Sequence, residues 1–160
     1  MWIFVSLQNL VYIIKSVQNY YFFLIYAIFF VLLHQNLQNT MLSNYFTASQ
    51  TDSVREFIQT AQHIVIVTHM SPDGDAMGSS LGMRHYLKHI GKTSITNIVP
   101  NSFPSFLAWM PDADKVIIYD EHQAEADAIL STCDLLICTD FNEPKRIGSL
   151  WDKIQNLACP

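Results

Sequence analysis

Beyond residue 50 the chain alternates short, wholly apolar runs with segments in which apolar residues recur every three or four positions. The run Ile64-Val65-Ile66-Val67 is β-branched and shows no polar alternation, the pattern of a parallel strand covered on both faces. Residues 94–99, 116–119 and 135–139 repeat it as second, third and fourth strands. Between these runs, residues 76–90 carry Met83, Leu87 and Ile90 at helical spacing and end at Gly91, a residue suited to the position after a helix. Residues 122–131, entered through Asp120 and Glu121, predict a further helix. Residues 146–156, with Ile147, Leu150, Trp151 and Ile154 on one face, predict a last one. Ser53-Val54-Arg55-Glu56 reads as a capping box, starting a first helix that runs to residue 62 with Val54, Phe57, Ile58 and Ala61 as its apolar face. Residues 103–109 read as a short aromatic helix or turn ahead of the loop Pro111-Asp112-Ala113-Asp114. Strands alternating with helices predict an α/β fold, a Rossmann-like parallel sheet with helices on both faces.

The amino-terminal part obeys a different pattern. Residues 1–40 contain one charged residue, Lys15, whereas all 14 acidic residues lie beyond residue 50. Tyr20 to Leu33 is an unbroken apolar run, shorter than the roughly 20 residues of a membrane span, and no small-residue cleavage site follows it. Two readings stay open for residues 1–40. They are a hydrophobic membrane anchor, or an extension read from A/T-rich upstream DNA with Met41 as the true start. Residues 51–160 form the domain. The net charge of −5 and the absence of a basic patch argue against a grip on duplex nucleic acid.

The chemistry concentrates in the loop between the first strand and the helix after it. His69, Asp73 and Asp75 lie there within a stretch bent by Pro72 and Gly74, and Gly78 would let the backbone approach a neighbour closely. In an open α/β sheet such a loop lies at the carboxyl ends of the strands, where ligands bind. Two carboxylates would repel phosphate, but a bound divalent cation inverts the local sign. No Gly-Lys-Ser/Thr or Gly-x-Gly-x-x-Gly occurs, and Met77 and Arg84 stand where an EF-hand needs oxygen ligands. The plain alternative is a Pro-Asp-Gly turn with an upstream histidine. Asp140, at the end of the wholly apolar fourth strand, repeats the placement of His69, and Lys145 and Arg146 follow it.

The stretch His69-Met-Ser-Pro-Asp73-Gly-Asp75-Ala-Met-Gly78-Ser79 resembles the first motif of the DHH family of phosphoesterases, in particular its oligoribonuclease and pAp-phosphatase branch. Thr139-Asp140-Phe-Asn142-Glu-Pro-Lys145-Arg146-Ile-Gly148 is similar to the family's second motif. The resemblance implies two divalent cations, manganese before magnesium, with His69 and Asp73 on one, Asp75 on the other and Asp140 bridging them. It implies Asp73, Asp75 and Asp140 as catalytic residues, Arg146 as a contact to substrate phosphate, and short single-stranded RNA or pAp as substrate. The third motif, Asp-His-His, is not in the sequence. The resemblance therefore describes residues 51–160 as the amino-terminal part of a DHH domain, incomplete for turnover by itself. The competing reading is a non-catalytic nucleotide- or metal-binding module, membrane-tethered if residues 1–33 are genuine.

His85 and His89 stand four apart on a helix without an acid between them and read as surface residues. Cys133, Cys138 and Cys159 are odd in number and lack zinc-ligand spacing, and the two that flank or lie within the fourth strand, Cys133 and Cys138, read as reduced, buried thiols in the cytoplasm. A membrane location holds only if residues 1–33 anchor the chain, and nothing in the sequence fixes an oligomeric state.

Overall fold

The computed structural model describes residues 47–160. Within them the apolar runs become four parallel strands, β1 (Ile64–Val67), β2 (Ile95–Val99), β3 (Ile117–Ile118) and β4 (Leu135–Cys138), in the spatial order β3-β2-β1-β4. Helices α1 (Ala48–Thr60), α2 (Gly74–His89), α3 (Gln123–Leu130) and α4 (Trp151–Ile154) cover the two faces. The α/β sheet with helices on both sides that the periodicity predicts is the fold.

Alternation along β1 explains the layering, because successive side chains of a strand point to opposite faces. Ile64 and Ile66 pack with Leu87 of α2 and Ala61 just after α1, while Val65 and Val67 pack with Ile98, Leu130, Ile147, Leu150 and Ile154 on the other face. All four β1 side chains are almost completely buried. Each contributes roughly 1.5–3 kcal/mol of burial. The central strand is thereby fixed in position between two layers.

α1 begins earlier than its predicted capping box. Thr47 is the N-cap, and a reciprocal box joins Thr47 and Gln50, leaving Ser53 inside the helix with its hydroxyl donating to the Ser49 carbonyl at 3.0 Å. Both tetrapeptides satisfy the capping pattern, and nothing between them breaks a helix, so the upstream one sets the start. The predicted apolar face is only partly used: Ile58 and Ala61 join the core, whereas Val54 and Phe57 are exposed. Gly91 (φ 92°) closes α2 as expected, with Lys92 N–H donating to the Leu87 carbonyl and Gly91 N–H to that of Lys88, the paired bonds of a Schellman motif.

The last predicted helix is broken. Pro144–Leu150 is 3-10, Gly148 adopts φ 55° and ψ −137°, and only Trp151–Ile154 is α-helical. Ile147, Leu150 and Ile154 still reach the core, so the apolar period survives the kink. Cys138, expected to be buried, is exposed because β4 is an edge strand with partial cover. Cys133 and Cys159 are half-buried free thiols with sulfurs 3.3 Å apart, and burial pushes the Cys133 thiol up to about 12. Residues 1–46, including the predicted anchor or extension, lie outside the described residues. Among the described residues no helix is long and apolar enough to cross a membrane.

A second fixture holds the long connection from β2 to β3 against α2. Asp112, in the left-handed region (φ 65°), accepts from Lys115 at 2.6 Å, from Lys88, and from Arg84 Nε at 3.3 Å. Arg84 reaches on to the Asn97 side chain at 3.3 Å. Hydrogen bonds from Lys115 and Lys88 hold the Asp112 carboxyl far below the usual carboxylate range. A depressed carboxylate contributes stability above its unfolded pKa of about 3.9, and this is lost as pH falls towards the folded value. Asp112→Asn should therefore cost roughly 1–2 kcal/mol at pH 7, the ammonium partners being partly exposed. In urea unfolding the gap between variant and parent should narrow as pH falls below about 4, where the unfolded parent takes up a proton that the folded carboxylate still excludes.

Candidate metal centre

β1 and β4 pair in parallel with Val67 opposite Cys138, and Thr139 N–H extends the ladder by donating to the Val67 carbonyl at 2.9 Å. The residues that follow each strand, His69 and Asp140, therefore leave the sheet side by side. His69 Nε2 lies 3.3 Å from Asp140 Oδ2. Asp73 completes the group, and one ligand atom from each of His69, Asp73 and Asp140 lies within 4.8 Å of the others.

The imidazole is fixed in orientation. His69 is buried, and its Nδ1 lies 2.8 Å from the Met70 carbonyl, which can only accept, so Nδ1 carries the proton. Nε2 then faces a carboxylate oxygen and needs either a second proton or a cation between the two. This outward-facing Nε2 with a carbonyl on the other nitrogen is the arrangement that metal-bound histidines use. Thr68 precedes His69 in the chain. Its Oγ1 is buried without a hydrogen-bond partner, unlike any other buried side-chain polar atom among the described residues.

Asp73 is placed by its role as N-cap of α2. Its Oδ1 accepts from the N–H groups of Asp75 and Ala76, both at 3.0 Å. Both bonds fall on Oδ1, which leaves Oδ2 available to a cation. The Ala76 hydrogen bond above all, with smaller help from that of Asp75 and the charges of His69 and Arg146, holds this carboxyl below its ordinary value. Asp73 is thus ready as an anion at neutral pH. Asp75 lies outside the three-residue group, exposed on the first turn of α2. Arg146 is exposed, and its charge is felt at Asp73. His85 lies 3.9 Å from Asp112 and His89 is exposed, both on the later turns of α2 and outside this group.

The backbone around the centre is strained in places that the sequence does not mark. Ser71 (φ 52°) and Asp140 (φ 60°) are left-handed, so the first loop bends at Ser71 rather than at Pro72 or Gly74. Asn101 holds the bend by accepting from Ser71 N–H at 2.6 Å. Gly78 meets nothing within 4 Å of where a Cβ would stand, so it is not the point of close approach. Gly148 is: a Cβ there would lie 2.6 Å from the Met70 sulfur. Met70 N–H also donates to the Arg146 carbonyl at 2.6 Å. Met70 and Gly148 together hold the first loop against the second. Neither offers polar chemistry, and the only sequence signal was a lone glycine inside a helical pattern.

The model of the DHH family, N-terminal domain, matches residues 63–158, which is more than half of the chain and includes both loops. The chain belongs to the DHH family of phosphoesterases. Over 84 residues, 52% of its length, this DHH chain is 36% identical to the bifunctional oligoribonuclease and PAP phosphatase NrnA of Thermus thermophilus. It is also similar to the crystal structure of an exopolyphosphatase-related protein from Bacteroides fragilis, at 42% identity and a TM-score of 0.65 over 68% of the chain. It spans 23% of the length of the former and 32% of the latter.

Gly148→Ala in this DHH domain should cost roughly 1–3 kcal/mol, because φ 55° is unfavourable for a residue with a Cβ and Met70 must move aside. Adding Met70→Ala should relieve the contact but not the dihedral, restoring part of the loss. Thermal melting of the two single variants and the double variant measures this. Full additivity of the single effects would show that the two residues do not meet.

Proposed function

We propose that this domain contributes to a manganese-dependent phosphoesterase that hydrolyses short RNA oligonucleotides or pAp by a two-metal mechanism. The observation that carries this reading is His69 Nε2 facing the Asp140 carboxylate at 3.3 Å while Nδ1 is held by a carbonyl. His69, Asp73 and Asp140 would hold one cation, and Asp75 with a share of Asp140 a second. An imidazole among carboxylates favours manganese over magnesium, which prefers oxygen alone. When bound, the cations supply charge for the phosphoryl oxygens and lower the pKa of the attacking water.

The chain's own residues orient the rest. The Met70 carbonyl keeps the His69 lone pair directed at the centre, and the α2 N-terminus keeps Asp73 anionic. Arg146, following the second loop, neutralises a substrate phosphate, a role that suits a planar, bidentate guanidinium. The relative from Thermus thermophilus carries oligoribonuclease and PAP phosphatase in its name, which supports nucleotide phosphoesters as substrates. A cytoplasmic location fits such substrates.

Calorimetric titration of manganese into the purified chain tests the centre directly. His69→Ala and Asp140→Ala should each lower manganese affinity by more than the roughly 10- to 100-fold that loss of an outer-sphere partner causes. Phosphate release from pAp by the 160 residues alone should be slow, since the sequence contains no Asp-His-His. Affinity unchanged by either substitution would remove the basis of the proposal.

A further inference from the structure

The connection that leaves β2 borders the metal centre on the side away from β4. Asn101 is bonded to Ser71 in the first loop, and the Leu107 side chain reaches to within 3.9 Å of where a Cβ on Gly74 would stand, at the start of α2. Ser105–Leu107 is a 3-10 turn, and its pattern continues through Ala108 N–H to the Ser105 carbonyl and Met110 N–H to that of Leu107. In this geometry residues three apart lie above one another. Leu107 and Met110 form the inward line and are buried. Phe106 and Trp109 form the next line and are turned outward, 71% and 49% exposed.

An exposed phenyl ring has an energetic cost in water that a buried one does not. Here two aromatic side chains share one outward line, on a segment tied to the loop that carries His69 and Asp73. The chain offers few cations for a polyanion, with a net charge of −5. Arg146 lies on the other side of the centre, after β4. Affinity for a nucleotide beyond its phosphate must therefore come from contact with the base, and aromatic side chains supply this for any base through their π-faces.

We propose that Phe106, with Trp109 beside it, forms a stacking platform for a nucleobase of the substrate whose phosphate lies at the metal centre. The inference rests on the phosphoesterase reading above and deepens it, since it places the base on the β2 side and the phosphate between β1 and β4. The platform is tolerant of base identity and needs single-stranded substrate, because a base within a duplex does not expose its face.

The test compares two ligands that differ only in the base, adenosine 5′-phosphate and ribose 5-phosphate, titrated calorimetrically into the 160-residue chain with manganese present. Adenosine 5′-phosphate should bind about 5- to 150-fold more tightly, the range that stacking of one base supplies. Phe106→Ala should remove most of that advantage and leave the ribose 5-phosphate affinity alone, while Phe106→Tyr should keep it. Because Phe106 lies on the surface, its substitution should leave melting unchanged, which separates loss of stacking from loss of fold. Equal affinities for the two ligands in the parent chain, or an advantage that survives Phe106→Ala, would overturn the platform and leave the phosphoesterase reading intact. Absence of manganese-dependent binding of either ligand would overturn both.

Discussion

In-register parallel pairing of β1 with β4 is the constraint on which the centre depends. The two strands are far apart in sequence, yet Val67 and Cys138 are partners, and one further bond from Thr139 to Val67 carries the ladder to the point where the loops diverge. A one-residue slip would turn every β1 side chain to the wrong face, exposing Ile64 and Ile66 to the layer that now holds Val65 and Val67. The burial of those four side chains therefore also fixes the separation of His69 and Asp140. Packing energy spent on the core is what positions the polar groups at the strand ends.

The loops store strain that the core supports. Ser71 and Asp140 both take left-handed conformations, and Gly148 takes one that a side chain would oppose. Such residues cost of order 1–3 kcal/mol each where a Cβ is present and persist only when neighbours determine them. Here the neighbours are identifiable: Asn101 at Ser71, and the Met70 contacts with Arg146 and Gly148. A buried imidazole nitrogen facing a carboxylate oxygen is tolerable with a proton or a cation between them and unfavourable otherwise, which makes the centre a place where folding energy is exchanged for binding.

The periphery is organised separately. Asp112 gathers Lys115, Lys88 and Arg84 between α2 and the connection from β2 to β3, using up cations that would otherwise be free to meet a polyanion. This leaves the sheet's carboxyl edge with Arg146 on one side and aromatic side chains on the other. A surface of this kind suits a small, single-stranded ligand held by its phosphate and its base more than a long duplex held by its backbone.

The sequence by itself determined the strands, because β-branched runs without alternation can be accommodated only when both faces are covered, and it determined α2, whose end is marked by Gly91. It also displayed His69 and Asp140 at strand ends, since a costly polar group next to an apolar run stands out locally, and Asp73 in the loop after the first strand, while its place as N-cap of α2 came only with the structure. The start of α1 and the break at Gly148 were not legible, because competing capping boxes and a continuous apolar period look alike until the chain packs. Nor could spacing show that Asp75 stands apart from His69, Asp73 and Asp140, or that Phe106 faces outward while Leu107 faces in. Those outcomes depend on which residues distant in sequence become neighbours: Met70 beside Gly148, Asn101 beside Ser71, and Asp140 beside His69. Only the register of the sheet decides these pairs, and that register is a property of the packed core as a whole.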